Sequence, residues 1–519
     1  MNFHLLELFV RSASFELDNN DIYCTKEPYH VFLNGKKVLS DRTENVFSLY
    51  HLKPNTHYTV ELVSGNQKER VTFCTPEETV LLDVRDFGAV GNGKDSAAAS
   101  LQAAVLSCPA GGTVYVPKGV FLSGPLFLKS GITLYLDEGA VILGETDRSK
   151  YPILPGVTTC ANETDEYYLG TWEGNPLDSF ASLLTGIEVK DVNITGQGIV
   201  DANAENGDWW TNVKEKRGAW RPRMLFLCRC SNIRVQGVTF RNSYAWTIHP
   251  YFSSYIRFLN ISVKNDACSP NTDGIDPESC KDVHIIGARI SVGDDCIAIK
   301  SGKRFMGEKL KTPSSDILIR NCLLERGHGG IVIGSEVSGG VHNVQVRQCL
   351  LKNTDRGLRT KTRRGRGRNC NLDGILFENV QMDGVMTPFV INMFYFCDPD
   401  GHTDYVRDKS AHEVNEETPH IGTLVCRNIT CTNCSIAGAF FYGLPEVPID
   451  CVELENVFIS FRPDAQAGYP AMMDDIEQIK KLGLFAYNLK KLSLKNVKIK
   501  GYEGKRVLTN AIGQISEEE

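Results

Sequence analysis

One eight-residue template recurs ten times between positions 187 and 499: apolar, any, apolar, any, any, apolar, any, apolar. It reads first as Ile187/Val189/Val192/Ile194, then as Ile233/Val235/Val238/Phe240, Ile256/Phe258/Ile261/Val263 and Val283/Ile285/Ala288/Ile290. It continues as Ile317/Ile319/Cys322/Leu324, Val344/Val346/Cys349/Leu351 and Ile375/Phe377/Val380/Met382. Copies starting at Leu424, Val452 and Leu492 complete the series. From position 233 to 375 successive copies start 23, 27, 34, 27 and 31 residues apart. Alternation within each half describes a strand with one buried face, and the two extra central residues describe a bend. A unit this short cannot close a core alone, so the copies must stack as a solenoid. The prediction is an all-β chain, a right-handed parallel β-helix with insertions leaving it as loops. Leucine-rich repeats would need leucine and asparagine at fixed places and a helix per turn, which this template lacks.

Residues 1–78 carry no copies and read as short alternating strands, at Tyr29–Leu33, Val46–Leu49 and His57–Leu62. Asn34-Gly35 is a hairpin signal between the first two. A small β-sandwich is expected here, and the β-helix over 80–519. Asp95-Ser96 is expected to cap an amphipathic helix through Leu101, Ala104, Val105 and Cys108, covering the first coil. The stretch Leu52-Lys53-Pro54-Asn55-Thr56-His57-Tyr58-Thr59-Val60 resembles the signature of fibronectin type III domains, which implies a spacer or docking module with its tyrosine at a sandwich corner.

A length of 519 residues suits a fold that grows by repetition. The formal charge of −7 argues against nucleic acid or a membrane surface as a general partner. No apolar run approaches the roughly 20 residues that span a bilayer. The 17 cysteines are an odd number, and several occupy apolar template positions. Buried thiols in a reducing compartment account for them better than disulfides, so cytoplasm is the expected address unless a leader was removed. No zinc, other metal or cofactor is expected. The basic run Arg363-Arg364-Gly365-Arg366-Gly367-Arg368 reads as a solvated loop or as an anion track, according to what lies beside it.

Polar residues follow four consecutive copies: Asn271-Thr272-Asp273, Gly293-Asp294-Asp295, Gly327-His328-Gly329 and Arg359-Thr360-Lys361. Asp294 and His328 share one offset, four residues past the last apolar position of their copies. Equal offsets on adjacent coils stack about 4.8 Å apart. Three carboxylates, an imidazole and two cations should therefore converge on one patch. An ordinary turn ladder of Asp, Asn and Gly would be polar but arbitrary. Asp294 and Asp295 can share a cleft only at a bend, which Gly293 eases.

These four ordered motifs resemble those of the polygalacturonases, glycoside hydrolase family 28, and the likeness runs over most of residues 80–500. Gly293 stands where many endo-acting members have glutamine, and Thr360 where they often have isoleucine. The resemblance implies hydrolysis of α-1,4-linked galacturonic acid with inversion. It implies Asp294 as general acid, Asp273 and Asp295 holding and deprotonating water, and His328 tuning the acid. A separation of about 6.5–9.5 Å between acid and base suits inversion. Arg359 and Lys361 are expected on the galacturonate carboxylate, with Asn271 supporting the site. Tyr395 is a candidate to stack on a sugar ring, and His249 occupies the comparable edge of an earlier coil. For both, buried packing is the competing expectation.

The insertions Glu145–Asp178 and Phe394–His420 are long enough to wall off a groove, which favours exo-action on a galacturonate oligosaccharide or a pectin chain end. A hydrolase of rhamnogalacturonan or another decorated backbone, a calcium-dependent pectate lyase and a non-catalytic pectin-binding β-helix are the rivals. Oligomeric state is not legible.

Overall fold

The computed structural model describes residues 2–519. From Leu81 onward the chain coils into parallel strands that stack in three ladders, so each coil contributes one strand to each face. The first two ladders carry the template. Ile233 and Val235 stand opposite Ile256 and Phe258, which stand opposite Val283 and Ile285, then Ile317 and Ile319, then Val344 and Val346. The register holds through Ile375, Leu424, Val452 and Leu492. Inward-facing residues of all three ladders merge into one continuous core.

The first template copy is corrected. Val192 and Ile194 pair with Ile233 and Val235, and Val200 pairs with Phe240, whereas Ile187 lies in the third ladder opposite Cys228. The true first half is therefore Val192/Ile194. The error has a physical source: Asp191 is left-handed (φ 57°) at the corner before this strand. That corner imitates the bend inside the template, and spacing alone cannot distinguish two bends.

The template's central bend is itself a column of left-handed residues, Asn260, Asn321, Gln348, Asn379, Asn428, Asn456 and Asn496, with φ between 50° and 54°. Asparagine tolerates this region better than most residues. Its amides also form a ladder: Asn428 donates to Asn379 at 3.1 Å, Asn456 to Asn428 at 3.0 Å and Asn496 to Asn456 at 2.9 Å.

The N-terminal region packs a three-stranded antiparallel sheet (Asn2–Leu8, Ala13–Asp18, Val46–Leu49) against a four-stranded one (Cys24–Leu33, Lys36–Glu44, His57–Ser64, Gln67–Cys74). They share a core in which Phe15 and Phe47 stack at 5.1 Å. Asn34 (φ 48°) and Gly35 (φ 80°) do turn a hairpin, but its second strand is Lys36–Glu44, while Val46–Leu49 joins the other sheet. This unit lies on the bend column. Asn45 donates to Asn321 at 2.9 Å, and Asn260 donates to Ser48 at 3.0 Å. Glycine replaces asparagine in the column at Gly237 and Gly287, where a Cβ would sit 2.2 Å from the Tyr50 hydroxyl and 2.7 Å from Val46 Cβ, respectively.

The early helix, Ala98–Ser107, buries Leu101, Ala104 and Val105, as expected. Its capping residue is Ala97 without a side-chain bond, because Asp95 and Ser96 belong to the strand Asn92–Ser96. All 17 cysteines are unpaired, and Cys322, Cys349, Cys426 and Cys431 lie in the core.

Candidate active site

The third ladder forms the floor of the site. Ile297 and Ile299 point inward beside Ile331, Ile333 and Leu358. Alternation therefore turns Ala298, Lys300, Val332, Arg359 and Lys361 outward. Asp273 and the pair Asp294-Asp295 immediately precede two successive strands of this ladder, and Ile275 bridges Ile297. His328 stacks on Asp294, since its N–H donates to the Asp294 carbonyl at 3.1 Å. One carboxylate oxygen from each of Asp273, Asp294 and Asp295 lies within 4.8 Å of the others. The predicted convergence is realised. These oxygens lie closer together than the roughly 6.5–9.5 Å between carboxyl groups that suits inversion.

Gly293 does its work differently from the expectation. A Cβ there would lie 2.5 Å from the Ser269 carbonyl and 2.7 Å from that of Asp266, so close approach, not a left-handed φ, requires glycine.

Environment separates the three acids. Burial raises Asp273 well above the usual carboxylate range, helped by Asp276 and Asp294. Burial and the charge of Asp295 likewise raise Asp294, which is half-buried. Burial alone would raise Asp295 too, but Lys361 and Arg359 outweigh it and hold Asp295 at about 2. Lys361 Nζ donates to Asp295 at 2.8 Å and an Arg359 amine at 3.3 Å. These two cations thus hold the ionised acid, a role beyond the predicted one of receiving a substrate carboxylate. His328 Nδ1 donates to the Asp355 carboxylate at 2.8 Å, and that bond raises its pKa. Its side chain is 59% exposed, marking the open edge of the site.

Asn271 Oδ1 accepts from Arg221 at 2.6 Å. Tyr395 is only 6% exposed, its ring 5.6 Å from the Arg359 guanidinium and 5.2 Å from Lys361 Nζ. It backs the cations more than it offers a free face to a sugar. His249 is fully buried, 2.8 Å from Glu278, and burial pushes its pKa well below the usual imidazole value. Ile248 faces the core, so His249 faces outward from the floor, but it is packed among Phe226, Trp246 and Tyr251 and has no exposed surface.

The basic run is neither a solvated loop nor an open anion track. Arg363 pairs with Asp400 at 2.8 Å, and Arg364 is clamped by both oxygens of Glu446 at 2.6 and 2.9 Å. Arg366 faces Asp398 at 3.3 Å, leaving Arg368 as the exposed member. The run anchors the insertion that follows Phe394.

Several residues of the site went unread in the sequence. Lys300, buried, lies 3.1 Å from Glu336, 3.8 Å from Asp273 and 4.2 Å over the Trp246 ring. Its signal was its alternate position in the strand after Asp295. Asp276 is fully buried with neither carboxylate oxygen bonded. Asp355, 27 residues after His328, was legible from the coil spacing. Arg356 and Met472 carry no such mark.

A parallel β-helix alone fits many activities. Three converging carboxylates in distinct protonation environments, flanked by paired cations, define a glycoside hydrolase. Residues 113–439 match the model of glycosyl hydrolases family 28, and the chain belongs to that family. It is 30% identical over 407 residues to a polygalacturonase of Malus domestica, covering 74% of this chain and 75% of that one. A probable polygalacturonase of Vitis vinifera is 29% identical over 402 residues, covering 76% and 77%. Among solved structures, the family 28 exopolygalacturonase of Yersinia enterocolitica shares the fold at a TM-score of 0.72 and 19% identity, covering 99% of this chain and 98% of that one. The exopolygalacturonase of Thermotoga maritima superposes at 0.60 with 27% identity, covering 83% and 91%.

Proposed function

We propose that the chain hydrolyses α-1,4-linked galacturonic acid in pectin-derived oligogalacturonides, with inversion and from a chain end. The observation that carries the hydrolase chemistry is the split among the three acids. Asp294 keeps its proton and gives it to the departing glycosidic oxygen. A water held by Asp273 and Asp295 attacks the anomeric carbon, and its proton passes to the ionised Asp295. His328, held by Asp355, sets the acid's charge environment. Arg359 and Lys361, beside the acids, favour a uronic acid over a neutral sugar.

Chain-end action is supported by the two insertions. Lys303 is gripped from both: its N–H donates to the Gly174 carbonyl at 2.9 Å, while its ammonium reaches Asp398 at 2.8 Å. The first insertion also stacks Trp172 on Trp220 at 5.0 Å and on the Arg223 guanidinium at 4.9 Å, two coils before the one that carries Asp273.

The close carboxylates make stereochemistry the sharpest test, since the general spacing rule would assign about 5–5.5 Å to retention. Proton NMR of tetragalacturonate turnover should show the β-anomer first, with one residue or a short unit lost from one end. Asp294→Asn should lower kcat by at least about a thousandfold. Retained α-anomer rejects inversion, and random products reject exo-action.

We further propose a fibronectin type III-like identity for the N-terminal unit of about residues 1–78, supported by Tyr58, whose hydroxyl accepts the Lys53 N–H at 2.9 Å. A reducing, cytoplasmic compartment is proposed from the unpaired thiols.

A further inference from the structure

Beyond Arg359 the floor is overlaid by the segment 462–481, which joins the strands Ile449–Phe461 and Leu482–Lys500. Ala471 and Met473 are buried in the main core, so the residue between them is turned outward. Met472 Sδ lies 3.0 Å from an Arg359 amine, and the residue is 38% exposed. Tyr469 is 52% exposed on the same segment.

The backbone beneath these two side chains is pinned. Arg356 donates to the Tyr469 carbonyl at 2.6 Å and to the Pro470 carbonyl at 3.2 Å. Asn392 donates to the Met472 carbonyl at 2.9 Å. A large ring and a thioether are thus presented to solvent on one anchored segment, the thioether beside a cation of the site. Anchoring removes the entropy that a mobile loop would lose on binding.

The side of the scissile bond follows from connectivity. Arg356 neighbours Asp355, Asp355 holds His328, and His328 stacks on Asp294. The acid protonates the departing oxygen, so the segment lies toward the departing saccharide. Pyranose rings present an apolar face of C–H groups with polar rims, which suits an aromatic ring and a polarisable sulfur.

We propose that Tyr469 and Met472 form a platform for the pyranose ring of the departing uronide, and so determine specificity on that side. The proposal rests on Asp294 being the general acid. The platform reads ring shape while Arg359 reads charge.

Steady-state kinetics on tri- and tetragalacturonate, with wild type, Tyr469→Ala, Tyr469→Phe and Met472→Ala, provide the test. Tyr469→Ala should raise KM about tenfold with kcat nearly retained. Met472→Ala should act in the same direction, and Tyr469→Phe should stay near wild type, because the ring face and not the hydroxyl makes the contact. Unchanged KM in both alanine variants overturns the platform while leaving the hydrolase reading intact. A fall in kcat that tracks a lowered unfolding temperature also overturns it, since the segment would then be structural. If wild type cleaves neither oligomer, the galacturonide reading fails and the platform fails with it.

Discussion

At Asp295 two opposing effects of similar size meet, and geometry decides between them. Burial of a lone carboxylate would keep it protonated. Two cations within 3.3 Å reverse this and hold it at about 2, while Asp294, next in sequence, is raised. A single backbone step therefore separates an ionised group from a proton donor. Because the native pKa of Asp295 lies below the unfolded value of about 3.9, its ionisation contributes stability above pH ~4. That contribution is lost as pH falls toward about 2. Lys361→Met leaves Arg359 in contact with this acid and Lys300 farther off, so its pKa should rise. The acid limb of the kcat/KM profile should then move to higher pH, with activity down about a hundredfold at neutrality. Lys361→Arg should return the limb toward its original position. An unmoved limb in the methionine variant would remove Lys361 from this role.

The element that matters most is the bend carrying Gly293, Asp294 and Asp295 between strands of the second and third ladders. Its shape depends on the Ser269 and Asp266 carbonyls pressing where a Cβ would stand. Gly293→Ala should displace the bend by a few tenths of an ångström or more and misplace both acids. Such shifts cost about a hundredfold in rate. Circular dichroism and the unfolding temperature should change little, because the stacked strands on either side do not depend on this residue. A variant with full activity would mean that the bend tolerates the side chain. Tyr395 and His249 illustrate the opposite case, where an edge position in the repeat was read as a cleft position. Which side of a coil an insertion covers is set by chain segments far away in sequence.

For the whole molecule, the N-terminal sandwich is fastened to the β-helix by polar contacts across long sequence separations. Buried Glu16 accepts from Arg320 at 2.7 and 2.6 Å and from Asn321 at 2.7 Å. Arg289 reaches Glu44 at 2.7 Å and Tyr23 at 2.9 Å. Phe9 and Val46 pack on Leu259 and Ile286. Glu16→Ala leaves Arg320 and Asn321 without their acceptor and should cost about 2 kcal/mol. Thermal unfolding of the full chain should register this as a lower midpoint. Galacturonide kinetics should be unaffected at low temperature, because the contact lies on a different face from the acids. An unchanged midpoint would make the fastening incidental.

The fold and the central site were legible because a solenoid converts sequence spacing into space. With a known offset per coil, Asp273, Asp294, Asp295, His328, Arg359 and Lys361 had to converge, and the period-2 and bend pattern had to form stacked strands. Alternation even held the clue to Lys300, and coil spacing the clue to Asp355. What only the tertiary structure decided lies where that translation breaks down. The register of the first copy turned on Asp191 imitating an internal bend. The fate of the basic run turned on acids up to 82 residues away, at Glu446 for Arg364. The anchoring of Met472 over Arg359 joins segments 113 residues apart, with no repeat to relate them. Local pattern fixes what each coil does, whereas contacts made by insertions depend on three-dimensional packing that no periodicity encodes.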